Sequence, residues 1–454
     1  MKKVFCILLF TAYCLPARLL LILMLAGGMP ALLYSQTWNA LGTDGSGCVI
    51  YALKEWNNKL YAGPCVSVNN KLISGVCSFN EQKFDSLGNG LQLGGAIAFT
   101  KHDNKLYVGG QFVSADSIPN SASVAGWNDT AWSSANNNYF AEINAAASYN
   151  GELYVGGQFT QIGGITAKCL AKWNGTTWST VGGGFTGQVE VDCMAIYNGE
   201  LYVGGQLGLP GGPNNNFYNL VRWNGTQWDS VGGQFGGGYV MSLCVDTINN
   251  VLYAGGGITF AGTVPVWSVA KWDGTNLSSP GGFGITNGAY SMCMYNNELY
   301  VGGSGFSDTT LAKYDGVNWT PIIPSPNEQV QALAVYDSNL YVGGWFTQVG
   351  TVNANYIACY GNTCPQGVGI NEFQISDLKF KVFPNPAKNN ITIETEENKN
   401  FVARITNQLG QQIIKENFQK KLEVDISKYG KGIFLVEVCN EKDVKCHTEK
   451  VIIH

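Results

Sequence analysis

Leu153-Tyr154-Val155-Gly156-Gly157, followed by Leu170 and then Trp173-Asn174-Gly175-Thr176-Thr177-Trp178, is the stretch that decides the fold. Its first phrase, Leu-Tyr-(Val/Ala)-Gly, occurs seven times, beginning at Leu60, Leu106, Leu153, Leu201, Leu252, Leu299 and Leu340. The spacings run from 41 to 51 residues. Self-similarity at that period marks a radial array of small sheets, in which no unit buries its apolar surface alone.

The second phrase also recurs. It is clear at Trp223-Asn224-Gly225-Thr226-Gln227-Trp228 and degenerate from Phe79, Trp127, Trp272, Tyr314 and Tyr360. Asn-Gly or Asp-Gly at its centre supplies the positive φ that a tight hairpin requires, and the flanking aromatics become strand residues stacked across it. Three residues before the first aromatic stands an aliphatic: Val76, Val124, Leu170, Leu220, Val269, Leu311 or Ile357. Eight residues before each Leu-Tyr stands a small residue: Ala52, Ala98, Ala145, Cys193, Cys244, Ser291 or Ala332. Each repeat therefore reads as four short strands, with the small residue on the innermost strand, where a wedge-shaped unit has least room. Cys193 and Cys244 are expected to be buried small apolar residues rather than reactive thiols.

The last copy stops at Tyr360-Gly361-Asn362-Thr363-Cys364 and lacks a fourth strand. The segment Thr37-Trp38-Asn39-Ala40-Leu41-Gly42 matches the missing piece, as comparison with Trp178-Ser179-Thr180-Val181-Gly182 shows. The N-terminal strand is predicted to complete the seventh unit, leaving no open sheet edge between first and last. The expected fold is all-β: a seven-bladed β-propeller over residues 36–364.

A strand ending in Gly-Gly, an aromatic-Asn/Asp-Gly hairpin and then tryptophan resembles the kelch repeat, with tighter aromatic spacing, so the ring is kelch-like. That resemblance covers both binding proteins and copper radical oxidases. The oxidase chemistry needs histidine and tyrosine ligands near the axis, and the ring has one histidine, His102. The turn Asp315-Gly316-Val317-Asn318-Trp319 is also similar to the Asp-box of sialidases. Those enzymes hold a carboxylate with three arginines, and the ring has one, Arg222. The turns are expected to be hairpin staples.

After Cys364 the composition shifts. Residues 365–379 read as a linker. From Phe380 lysine and glutamate rise while isoleucine and valine alternate, giving strand candidates at 380–383, 390–394, 402–407, 411–415, 422–426, 432–438 and 446–453. A small C-terminal immunoglobulin-like β-sandwich over 380–454 is expected. The segment resembles the type A C-terminal sorting domain of the type IX secretion system. The resemblance rests on Val382-Phe383-Pro384-Asn385-Pro386, Ile391-Thr392-Ile393 and Asn407-Gln408-Leu409-Gly410-Gln411, then on Asp425-Ile426-Ser427, Gly432-Ile433-Phe434 and Lys450-Val451-Ile452-Ile453. The sorting-signal residues it implies are Phe383, Pro384, Asn385, Pro386, Gly410, Asp425, Gly432 and Lys450. It further implies a Bacteroidota source, the type IX machinery as partner, passage through the periplasm, removal of the tail, and a product that is secreted or held on the outer-membrane surface. Cys439 and Cys446 flank a short loop between the last two strands, and a cross-strand disulfide is expected there.

Residues 1–35 have the layout of a secretory signal peptide: Met1-Lys2-Lys3, an apolar centre at 19–26, then Gly27, Gly28 and Pro30, with cleavage near Ser35 or Gln36. Arg18 interrupts the apolar stretch, which argues for a cleaved signal over a membrane anchor, and no later segment is apolar enough to span a membrane, so no span is expected in the mature chain. A net charge of −5 with only 13% charged residues offers no basic surface for nucleic acid. Cysteines are spread without CxxC pairs, so neither zinc nor another metal or cofactor is expected. The expected function is a non-catalytic surface binding or scaffold protein with a glycan or protein ligand. Insertions at 114–121, 133–142 and 209–218 are the ligand-contacting candidates. The alternative is a polysaccharide-degrading lyase or hydrolase. It would need convergent carboxylates, and the ring's sparse acidic residues show no paired motif.

Overall fold

A computed structural model describes residues 36–41, 49–64, 67–68, 71–72, 75–80, 84–185, 189–208, 218–281, 288–305, 309–365, 380–395, 399–407, 412–440 and 446–453. The chain divides into two compact units, 1–366 and 367–454. The expected signal peptide and linker, Gly410, and most of the 209–218 insertion lie outside the described residues. Among the described residues no helix is long and apolar enough to cross a membrane.

The first unit contains seven four-stranded antiparallel sheets. Blades 1 to 6 span residues 52–86, 95–134, 142–180, 190–230, 240–278 and 289–321. Blade 7 takes three strands from 330–361 and its fourth from Thr37–Ala40. In that sheet Trp38 lies directly opposite Tyr360, as Trp178 lies opposite Trp173 and Trp228 opposite Trp223. The rings stack at 4.9 Å in the closing pair and at 5.4 and 5.0 Å in the other two. The N-terminal strand thus completes the last sheet.

Each Gly-Gly has two causes. A Cβ on the first glycine would collide with the start of the next blade: at Gly109 with Ile143, at Gly204 with Val240 (and with Cys193 of its own blade), and at Gly343 with Ile50, just before the first strand of blade 1. A Cβ on the second would overlap a carbonyl of its own blade, that of Glu142 at Gly157 and that of Glu190 at Gly205. That carbonyl is brought in by a β-bulge. The register slips by one residue in the innermost strands of blades 2 to 7, leaving Ile97, Asn144, Asp192, Met241, Tyr290 and Gln331 unpaired.

Side chains at the far end of several innermost strands latch one blade to the next. Tyr197 donates to the Asn250 carbonyl at 2.8 Å and Tyr295 to that of Ser338 at 3.2 Å. Tyr336 donates to the Asn58 carbonyl at 3.1 Å, across the junction of blades 7 and 1. Fourth-strand tryptophans add links to the preceding blade: Trp132, Trp178 and Trp319 donate their indole N–H to the carbonyls of Leu87, Ala135 and Pro280. The third-to-fourth-strand turns are closed by their leading side chain. Asn174 Oδ1 accepts from the backbone N–H groups of Thr176 and Thr177, and Asp315 Oδ1 from those of Val317 and Asn318. The hairpin-staple expectation fits these turns.

One register expectation is corrected. Counting eight residues back from Leu252 places Cys244 at the small position of blade 5, but the residue opposite the first glycine is Ser242. The turn between Asp246 and Val251 is two residues longer than that between Tyr149 and Glu152, which displaces the count. Cys244 lies instead opposite Tyr253, at the level of Ala147 and Cys293.

The second unit holds seven strands in two sheets. Phe380–Phe383, Asn390–Thr395 and Lys421–Asp425 form one, and Asn400–Asn407, Gln412–Gln419, Gly432–Asn440 and Cys446–Ile453 the other. Val382, Ile391, Ile393 and Val424 from the first share a core with Phe401, Ile405, Val436 and Val451 from the second.

Candidate binding face of the ring

The two faces of the ring differ. One carries the connections from second to third strands and from blade to blade, and several of these form small extra hairpins, such as Gln161–Ile162 with Ile165–Thr166. The other carries the tight hairpins. Among the described residues, every exposed aromatic of the ring lies on the loop-bearing face: Tyr51, Tyr139, Phe140, Tyr239, Phe260, Trp267 and Trp345. Phe140 and Trp267 are 62% and 64% exposed. Tyr51 and Trp345 meet edge to face at 6.1 Å, joining blades 1 and 7. The tryptophans of the repeated hairpins behave otherwise. Trp132, Trp173, Trp178 and Trp223 are buried in blade packing.

On the same face a cavity of about 750 Å³ opens between blades 3 and 4. Tyr139 and Phe140, from the 133–142 insertion, form one wall. Gln158, Gln161 and Lys168 of blade 3 face Glu190 and Gln206 of blade 4. Glu142 and Glu190 each open an innermost strand, opposite Gln158 and Gln206 respectively. Glu190 Oε1 accepts 2.9 Å from Asn144 Nδ2. Asp192 lies on the bulge two residues further in.

These carboxylates act on one another. Burial, reinforced by Glu190 and Glu142, pushes the Asp192 carboxyl up to about 7. Burial and Glu142 also raise Glu190, against the Asn144 hydrogen bond. No sequence motif pairs these acidic residues, yet Glu142, Glu190 and Asp192 act on one another across blades 3 and 4. The pairing is hidden because Glu142 and Glu190 lie 48 residues apart, one repeat, and meet only when blades 3 and 4 stack.

Residues weighed for catalysis lie elsewhere. His102 holds the latch position of blade 2, buried, with Nδ1 2.9 Å from Ser148 Oγ of blade 3. Arg222 pairs with Glu200 at 3.2 Å, as Lys172 pairs with Glu152 and Lys313 with Glu298 in their own blades. It is one copy of a repeated strand-to-strand staple. Burial pushes the Cys193 thiol well up and that of Cys244 to about 12, so both are held as thiols at neutral pH. The Cys193 sulfur lies 3.6 Å from the Val240 carbonyl of the next blade. Among the described residues no group of three or more His, Cys, Asp or Glu is placed to hold a metal ion. A disulfide joins Cys359 to Cys364, which the sequence reading missed. The signal was there: two cysteines five residues apart at the end of the ring in an exported chain.

In the second unit Pro384, Asn385 and Pro386 are exposed, Phe383 is 43% exposed, and the Asn385 side chain accepts from the Ile452 N–H at 3.1 Å. The motif is thereby tied to the last strand, where Ala387 N–H also donates to the Ile452 carbonyl at 2.7 Å. Asp425 accepts from the N–H and hydroxyl of Ser427, closing the turn Ser427–Tyr429. Gly432 opens the strand paired with the last, opposite Ile453, and Lys450 lies opposite Leu435. Cys439 and Cys446 are direct register partners.

Among solved structures the matches are distant. PorZ, a surface component of the type IX secretion system of Porphyromonas gingivalis, matches at 14% identity and a TM-score of 0.42 over 90% of this chain, which spans about 60% of that protein's length. A fungal copper-bound alcohol oxidase of the AA5 family matches at 12% identity and a TM-score of 0.45, over 92% of this chain and 99% of the oxidase. No curated protein matches the sequence. Residues 381–454 match the family described as the secretion system C-terminal sorting domain. This chain carries that sorting domain C-terminal in sequence to its blades, and is a protein exported through the periplasm to the outside or to the outer-membrane surface.

Proposed function

We propose that this is a non-catalytic binding protein of the cell exterior that engages a glycan or protein ligand through the loop-bearing face of the ring. The observation that carries the reading is the segregation of all described exposed aromatics to that face. Large aromatic surfaces left in water on one side only are a feature of recognition rather than of packing. The kelch-like blades serve as scaffold. The tail addresses the protein to the type IX machinery of a Bacteroidota cell, with Phe383, Pro384, Asn385 and Pro386 as an exposed recognition surface and Gly410, Asp425, Gly432 and Lys450 as the further sorting-signal residues. Residues 1–35 are the signal removed on entry to the periplasm, and a Cys439–Cys446 bridge fastens the last hairpin. The test is binding of the labelled full chain to the surface of its own cells. Replacing Trp267 and Trp345 together with alanine is expected to weaken binding about tenfold or more. Replacing Ile248 and Val317, on the opposite face, is expected to leave it unchanged.

A second reading, a polysaccharide hydrolase or lyase, is favoured by one observation: Asp192 carries a carboxyl displaced to about 7 beside Glu190 and Glu142. A carboxyl titrating near neutrality is suited to proton transfer. Release of new sugar ends by the full chain, lost in Asp192→Asn, establishes that reading. The absence of any release across a polysaccharide panel removes it.

A further inference from the structure

We infer that the cavity between blades 3 and 4 is a binding site for an uncharged oligosaccharide, with a sugar ring against Tyr139 and Phe140 and its hydroxyls on Gln158, Gln161 and Gln206. The inference rests on the loop-face reading above and names the ligand class for one part of that face.

Three features carry it. The first is the state of the amides. Several amide side chains of the loop face are consumed by the loops themselves: Asn137 bonds the Ala122 carbonyl, Asn219 that of Phe235, and Asn327 the N–H groups of Thr347 and Gln348. Among the described residues Gln158, Gln161 and Gln206 make no such bond, and all three line the cavity. Each offers donors and an acceptor together, which matches a hydroxyl-dense ligand and has no counterpart in an apolar one. The second is the aromatic wall. Phe140 and Tyr139 present apolar surface in the chain just before blade 3, beside the amides, and a sugar ring has both an apolar C–H face and a polar edge. The third is charge. The lining carries one cation, Lys168, and one carboxylate, Glu190, with Glu142 and Asp192 just beyond. That set balances or leans acidic, so it opposes a polyanionic chain such as a polyuronate. At about 750 Å³ the cavity is an open cleft with room for part of a sugar chain to lie along it.

The test uses the full chain and titration calorimetry against neutral hexasaccharides built from glucose, mannose, xylose or N-acetylglucosamine, with a galacturonic acid hexasaccharide as the anionic probe. At least one neutral probe is expected to bind, and the uronate is not. Tyr139→Ala with Phe140→Ala is expected to weaken neutral binding tenfold or more, and Gln206→Ala severalfold, with melting temperatures recorded for each variant. Because the double variant could disturb the loop, Gln158→Ala with Gln161→Ala provides an independent loss on different elements. Neutral binding unaffected by both double variants, binding of the uronate alone, or binding of no neutral probe overturns the inference. If neutral binding survives these changes but falls in Trp267→Ala with Trp345→Ala, the inference fails and the loop-face reading stands. If the cell-surface binding is insensitive to Trp267 and Trp345 as well, the loop-face reading fails too.

Discussion

Trp38 stacks on Tyr360 with ring centroids 4.9 Å apart, across 322 residues of chain. The pair occupies the register that Trp178 and Trp173 occupy within a single hairpin. If the N-terminal strand is a full fourth strand, Trp38→Ala should cost as much as an internal equivalent, about 3–5 kcal/mol. Denaturant unfolding of Trp38→Ala and Trp228→Ala, two tryptophans in the same register whose indole N–H groups both lack a partner among the described residues, checks this side by side. A negligible cost at Trp38 alone would mean that the ring does not depend on its closing strand.

The repeated glycines make a sharper distinction. At Gly157 a methyl group would overlap the Glu142 carbonyl, a backbone atom that cannot swing aside. At Gly151 nothing lies within 4 Å, and only the φ of +75° disfavours a side chain. Gly151→Ala is expected to cost about 1 kcal/mol, while Gly157→Ala exceeds about 3 kcal/mol or prevents folding. Equal costs would contradict the bulge-and-carbonyl explanation of the Gly-Gly phrase.

Asp129 stands where other hairpins place glycine, at φ +81°, and reaches back to blade 1. Its carboxylate accepts from Lys59 at 2.7 Å, from Tyr61 at 3.1 Å and from Asn57. Burial acts to raise its pKa, but these hydrogen bonds outweigh it and hold the group below its ordinary value. A carboxyl depressed in the folded state stabilises above its unfolded pKa, and that contribution is lost as pH falls through the folded value. Asp129→Asn is therefore expected to lower stability at pH 7 by up to about 1 kcal/mol. The difference should close towards pH 3. Thermal melts of both proteins across that range read it.

Asp192 has the opposite sign. Its carboxyl is raised to about 7, so the stabilising protonated form is complete below the unfolded value and is lost as pH rises through 7. A displacement of that size is worth at most on the order of 4 kcal/mol, shared with Glu190 and Glu142. Asp192→Asn should match the wild type near pH 4 and melt several degrees higher at pH 8. A constant offset between the two would show that Asp192 titrates normally.

The repeat phrases made the blades legible because each is a local device: a glycine pair, an Asn-Gly turn, an aromatic two strands later. The Trp38 strand was legible for the same reason, since it repeats the sequence after Trp178. What stayed hidden depends on placement between repeats. Cys244 was misplaced because a turn of different length breaks the count, whereas pairing follows hydrogen bonds. The small hairpins on the loop face carry a recurring phrase of their own, Phe159-Thr160-Gln161-Ile162-Gly163 and Phe346-Thr347-Gln348-Val349-Gly350, but it is confined to some blades and is overshadowed by the stronger Leu-Tyr and Trp phrases. The 133–142 insertion was identified as a ligand candidate, and Tyr139 and Phe140 do wall the cavity. Its other wall, with Gln206 and Glu190, comes from the next blade and has no signature of its own.

The most direct measurement is a crystal structure of the full chain with the tightest-binding neutral hexasaccharide. A sugar ring against Tyr139 and Phe140, with hydroxyls bonded to Gln158 or Gln206 on the loop-bearing face, is the predicted result. Density for the saccharide on the opposite face, or along the hairpin tryptophans at the rim, would contradict it.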